Sequence, residues 1–409
     1  MKQFLLLFFA ASMAFAQQSV SLSLEAGYEN DVFYKFSDQQ THFFDRNEWD
    51  VAFYRVSNYD QGIRVNEGKG LALYEASNDI NDWNNIDFYD IPSFTVLHNS
   101  DEDWKMGAFN QGSATYGWGE YNMSNHHLVG SVIFVIGNMI DGSVYKFMIE
   151  DYFGGYTIKY ALWDGNAWGS DMTNFVSNTE NTDRFFNYLK LSTNELVVAS
   201  PETNAWDLKF TKYSTLVTNN NGEEMPYTVT GVLQNPNVTV AQVEGEATDI
   251  SNLDYSEDIN TIGYDWKSLN SNWEYEIVPN QFYYVKSEDT VYRMVFESFE
   301  GSSTGNLTFN YQEESLSTLD IKGNTKFAVY PNPVTNKEIT LVYDNAEYAS
   351  NDLFVELYNL AGQKVYETKL NRGSGLFQRT IQLNNLSQGT YILRVISGCD
   401  VRTEKLLIK

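Results

Sequence analysis

The block Asn47-Glu48-Trp49-Asp50-Val51-Ala52-Phe53-Tyr54 returns 157 residues later as Asn204-Ala205-Trp206-Asp207-Leu208-Lys209-Phe210. Alternation after Trp-Asp is a strand pattern, with Trp49, Val51 and Phe53 on one face and Asp50 and Ala52 on the other. The surroundings repeat in the same order. Tyr34, Trp49, Trp118, Tyr145 and Tyr160 answer to Tyr188, Trp206, Trp266, Tyr292 and Tyr311, at offsets of 154, 157, 148, 147 and 151. A repeat of this length restricts the chain to two copies of one unit, each large enough for its own core. The expected division is residues 17–178 for the first copy and 179–312 for the second.

Within each copy the runs are short, aromatic and β-branched, and Gly-containing turns separate them. Aromatics make up 15% of the chain, which suits half-buried pleated surfaces and points to an all-β fold. Ser19–Leu24 alternates as an opening strand, and residues 28–54 read as two more strands around a turn at 37–40. Asn58–Leu71 reads as loop. The Asn/Asp-rich run 78–90 reads as turns around buried aromatics, because it lacks the central Gly and distal Glu of a calcium loop. Gly301-Ser302-Ser303-Thr304-Gly305 fits a nucleophile-elbow pattern but precedes a strand, so a hairpin loop is expected.

With 27 basic against 54 acidic residues the net charge is −27, which repels polyanions and excludes nucleic acid as a partner. The single Cys399 rules out an intrachain disulfide. Lys2, the apolar run Phe4–Ala11 and Ala14-Phe15-Ala16 form an expected signal peptide over residues 1–16, too short to span a membrane. No other stretch reaches a transmembrane length, so an exported, soluble mature chain is expected.

A polar stretch at 313–325 reads as a linker, and residues 326–409 as a small β-sandwich. Tyr330-Pro331-Asn332-Pro333, Tyr358-Asn359-Leu360-Ala361-Gly362, Leu386-Ser387-Gln388-Gly389-Thr390-Tyr391 and Lys405-Leu406-Leu407-Ile408-Lys409 carry its resemblance. This module closely resembles the type A sorting domain of the type IX secretion system of Bacteroidetes. The resemblance implies passage through the periplasm, engagement of the secretion machinery by residues 326–409, and release or display at the outer surface. The two upstream copies are similar to the HmuY family of haem-binding proteins. That similarity rests on Trp49-Asp50-Val51-Ala52-Phe53, Asn66-Glu67-Gly68 and Tyr145-Lys146-Phe147, and on Trp206-Asp207-Leu208-Lys209-Phe210, Gly263-Tyr264-Asp265-Trp266 and Tyr292-Arg293-Met294-Val295-Phe296. It implies tandem all-β domains, with haem iron held between two His or Met side chains on loops.

The residues supply candidates in the first copy: His98, Met123, His126 and His127 as axial ligands, with Trp104, Phe109, Tyr116 and Trp118 as pocket walls. His98 paired with His126 or His127 closes a bis-His site, and no metal beyond haem iron is expected. The bland reading is that the His-His pair is solvated and His98 is a turn residue. The second copy has Met225 alone in the corresponding window, so it is not expected to hold haem in the family's way. The four histidines form no zinc motif, and binding is favoured over catalysis. The alternative to haem is a non-catalytic surface module that adheres to glycan or protein.

Overall fold

The computed structural model describes residues 17–314 except Asn58 and Asn220, and residues 326–409 except 346–352, 371–374 and 398–399. The expected signal peptide, the linker from residue 315 onward and Cys399 lie outside the described residues. The chain divides into two compact units, residues 1–316 and 317–409, and the fold is all-β with antiparallel sheets.

Alternation dictates what each strand buries. In Val144–Tyr152, Tyr145, Phe147 and Ile149 enter one core. Lys146 and Met148 face the other side, where the Lys146 ammonium donates to the Trp83 carbonyl at 2.9 Å and sits 4.4 Å from its ring. The Asn/Asp run forms two 3₁₀ turns, with Asp79 and Asp87 accepting the amides of Asn81 and Tyr89 and Trp83 buried beneath. Gly301–Ser303 is a turn between the paired strands Thr290–Phe299 and Asn306–Glu314. Two readings change. Ile63–Val65 is a strand within the expected loop. Trp49 does not share a face with Val51 and Phe53, because the ladder starts only at Val51, after a bend at Asp50. Val51 and Phe53 enter the first core, and Trp49 joins Ala52 and Tyr54 in a separate cluster.

The first unit has two lobes, and each is completed by strands from the other half of the sequence. Strand Phe186–Lys190 pairs with Val51–Tyr54, and Leu189 and Leu191 enter the core of the first lobe. Strand Asn30–Tyr34 pairs with Leu208–Thr218, and Gln18–Ser23 pairs with Asn306–Glu314. Leu22, Leu24, Val32, Tyr34 and Phe36 thereby enter the core of the second lobe, none more than 5% exposed. Burying each such side chain contributes roughly 1.5–3 kcal/mol, so neither core closes without the borrowed strands. Residues 17–178 and 179–312 therefore do not close as separate domains.

The exchange is reciprocal and keeps register. Gln18 lies opposite Tyr311 as Met172 lies opposite Tyr160, and Ser23 opposite Asn306 as Ser177 opposite Gly155. Ladder irregularities fall at Ile149/Asp151 and at Phe296/Ser298. The aspartate of each Trp-Asp pair clamps the incoming strand. Asp50 accepts the Leu191 amide at 2.7 Å, and its own amide donates to the Leu189 carbonyl at 2.8 Å. Asp207 accepts the Phe36 amide at 2.8 Å and donates to the Tyr34 carbonyl at 2.8 Å. Asn66 and Asn235 then hold the carbonyls of Trp49 and Trp206 at 2.9 and 2.8 Å. These bonds make Leu189, not Tyr188, the counterpart of Tyr34. Phe33 and Tyr188 correspond instead, and both pack between the lobes.

The second unit is a sandwich of two sheets around Val329, Ile339, Leu341, Val355, Leu357, Leu393 and Leu406. Its sequence motifs are turns and docking points. Asn332 accepts the Leu407 amide and donates to the Lys405 carbonyl, fastening the Pro-Asn-Pro segment to the last strand. Asn359 accepts the amides of Ala361 and Gln363 at 3.0 Å, and Gly362 supplies the positive φ of 75° that this turn needs. The Tyr391 hydroxyl donates to the Ser387 carbonyl at 3.0 Å.

Candidate functional site

The expected axial ligands are not brought together. Leu97 lies opposite Leu73, Leu73 opposite Ile136, and Ile136 opposite Tyr145. His98 therefore sits at the Tyr145 end of strand Val144–Tyr152. Leu128 lies opposite Tyr152, which puts His127 at the other end. Seven residues of strand separate the two levels, on the order of 20 Å. Each histidine is also engaged locally. His98 Nδ1 lies 2.8 Å from Glu67, His126 Nδ1 2.6 Å from the Tyr121 hydroxyl, and His127 Nδ1 2.8 Å from Asp151 with its ring stacked on Phe153. Met123 is 84% exposed. The expected walls scatter as well: Phe109 and Trp118 are fully buried in the first core, Trp104 lies between the lobes, and Tyr116 is exposed.

A cavity with several ionic side chains in its walls lies elsewhere, between the lobes, with a volume of about 50 Å³. Trp49, Ala52, Arg64, Glu67, Lys209 and Lys212 are among its walls, with Asp31 at its base. Asp31 is buried, accepts Arg46 Nε at 2.9 Å and Thr211 Oγ1 at 2.6 Å, and pairs with Lys209 at 2.8 Å. Burial alone raises a carboxyl's pKa, but the Lys209 ammonium and the Arg46 guanidinium hold this one below its ordinary value. Arg64 donates to the carbonyls of Asp103 and Ser100 at 2.9 and 2.7 Å and lies 5.1 Å from the Trp104 ring. Burial pulls its pKa down to about 10, against the fields of Glu67 and Asp103. Gly68 lets the 67–69 turn reach the opposing strand, since a Cβ there lies 2.7 Å from the Lys212 carbonyl oxygen.

A second cavity is the counterpart of the first in the exchanged register, and it is small, about 10 Å³. The ladders set the correspondence: Ala52 opposes Tyr188 and Arg64, as Lys209 opposes Phe33 and Leu233. Where the first cavity has Asp31 against Thr211, the other side has Phe186 against Tyr54, with rings 5.2 Å apart. Leu233 answers to Arg64 and Pro236 to Glu67. Trp104, Phe186, Tyr188 and Lys209 line both cavities, and the first adds Asp31, Arg64, Glu67 and Lys212 where the second adds Phe33, Phe185 and Trp206. Sequence reasoning missed Asp31, Arg64 and Lys209. The signal available was the mismatch of charged with apolar residues at matched repeat positions.

Fold and cavity together define an exchanged two-lobe β scaffold followed by a small β-sandwich. Residues 328–409 match the secretion system C-terminal sorting domain, the tail of the type IX system. The protein is thus exported by that system to the outer surface or beyond, and its tail engages the secretion machinery. No curated protein matches the chain. Among the described residues no helix is long and apolar enough to cross a membrane.

Proposed function

We propose that residues 17–314 are a non-catalytic binding module delivered to the cell surface, and that its ligand occupies the charged cavity between the lobes. One observation supports this reading. The repeated interface places two cavities in equivalent positions: the larger has Asp31, Arg64, Glu67, Lys209 and Lys212 in its walls, whereas the smaller has Lys209 as its one ionic side chain. Replacing buried charges by well-packed apolar groups is often neutral or stabilising, and the Phe186/Tyr54 side illustrates that solution. Retaining the costlier arrangement on one side only is best explained by a task other than stability.

This reading keeps the non-catalytic surface module without haem, and replaces its glycan or protein ligand by a small polar one. A bis-His clamp needs both rings at one iron, and His98 and His127 sit at opposite ends of a sheet. The test has two arms. Haemin titration of the purified chain is expected to leave no Soret band that depends on His98, His126 or His127. A thermal-shift panel of sugars, amino acids and carboxylic acids is expected to find ligands that stabilise the native chain but not the cavity-filling variant Ala52→Met. A Soret band abolished in H98A, or stabilisation identical in A52M, overturns the reading.

A further inference from the structure

The donors and acceptors around the cavity do not balance, and the imbalance carries information about the ligand. Both carboxylates of the walls are already occupied. Asp31 takes Arg46, Lys209 and Thr211. Glu67 takes His98 at 2.8 Å and Asn99 at 2.6 Å. Two donors are left over. The indole N–H of Trp49 is buried with no acceptor among the described residues. The half-buried Lys212 ammonium has no carboxylate within ion-pair reach among them. Leaving a buried donor unsatisfied costs about 1–3 kcal/mol. The site therefore lacks acceptor oxygens and has donors to spare.

Size separates the two sides again. The Trp206 indole N–H also lacks a partner, but it borders the 10 Å³ cavity. That volume suits a single water, since one water needs about 10–15 Å³. The Trp49 side has 50 Å³, room for several non-hydrogen atoms. The field agrees in sign. The walls carry Arg64, Lys209 and Lys212 against Asp31 and Glu67, while Asp101 and Asp103 act on Arg64 from outside the walls.

Resting on the cavity reading above, we propose that this is an oxyanion site that takes the carboxylate or phosphate group of a small ligand through Trp49 Nε1 and the Lys212 ammonium. Arg64 and Lys209 supply positive potential but stay tied to their present partners. Burial and the nearby Arg46 lower the pKa of Lys212, and a bound anion opposes that shift. The whole molecule, at −27, repels polyanions at long range. A short, singly or doubly charged ligand is therefore admitted where nucleic acid or acidic polysaccharide is not.

The experiment titrates the full chain with sodium acetate, sodium phosphate and neutral acetamide at constant ionic strength set by chloride. Tryptophan fluorescence and Tm are both read. Acetate or phosphate is expected to saturate both signals, the better of the two identifying the group, with acetamide inert. Lys212→Met is expected to weaken binding about tenfold, the loss of one charge-assisted hydrogen bond. Trp49→Phe is expected to weaken it further, and K212M guards against a folding defect in W49F because Lys212 lies outside the hydrophobic clusters. Anion binding unchanged in K212M sinks the oxyanion site. Saturable acetamide binding that is lost in A52M keeps the cavity as a ligand seat but removes the anion. No response to any probe in the native chain removes both.

Discussion

At the level of single residues, the aspartates of the repeated Trp-Asp pairs bear the most. Asp207 is fully buried and satisfies the Phe36 amide, the Lys35 ammonium at 2.9 Å and the Ser287 hydroxyl at 2.6 Å. Asp207→Ala leaves a nearly buried ammonium with the longer contacts to Glu288 at 3.9 Å and Ser287 at 3.4 Å, a change that costs roughly 3 kcal/mol. Urea denaturation is expected to show that loss, and the double variant D207A/K35M to recover part of it. Equal stability of D207A and D207A/K35M contradicts the clamp. Lys267 makes a different prediction. Burial pushes its pKa from 10.5 down to about 7, against the attraction of Asp265. The folded chain then binds fewer protons than the unfolded chain between pH 7 and 10.5, so this residue makes stability rise with pH across that window. Below pH 7 the penalty is complete. Unfolding free energies at pH 7 and pH 9 are expected to differ less in Lys267→Met than in the native chain.

At the level of strands, the exchange predicts a covalent link that only this pairing permits. Ser21 and Thr308 lie opposite each other with their hydroxyl oxygens 3.2 Å apart, although 287 residues separate them in sequence. In a Cys399→Ser background, the pair Ser21→Cys and Thr308→Cys is expected to oxidise spontaneously. Closing so long a loop stabilises by about 3–5 kcal/mol in the chain-entropy picture, which Tm with and without reductant measures. Failure to form the bond argues against the strand partnership. Much of this architecture was legible beforehand. The landmarks Tyr145/Tyr292 and Tyr160/Tyr311 keep their correspondence through the ladders, because core aromatics and bulges recur where the alternation recurs. The exchange itself was not legible. Alternation says which face of Asn30–Tyr34 is buried but not whose core receives it, and both cores offer the same kind of surface. The slip from Tyr188 to Leu189 has the same origin: Phe186, Tyr188 and Leu189 are all apolar, and only the Asp50 hydrogen bonds fix the frame. The charged cavity was illegible because its walls come from residues 31, 64 and 209, far apart along the chain.

At the level of the whole molecule, the tail carries delivery, and the binding proposed above falls to the upstream unit. Removing residues 328–409 is expected to leave the chain in the periplasm, and immunoblots of periplasm and medium distinguish the outcomes; undiminished surface display overturns the assignment. The upstream unit adds a constraint of its own. Among the described residues its first strand, Gln18–Ser23, pairs with Asn306–Glu314 alone, the last described strand before the tail. During synthesis the front of the protein waits for nearly the whole upstream sequence before its lobe can close. Contacts that distant slow folding. The lobe that takes Gln18–Ser23 as an edge strand therefore becomes native only once Asn306–Glu314 has been made.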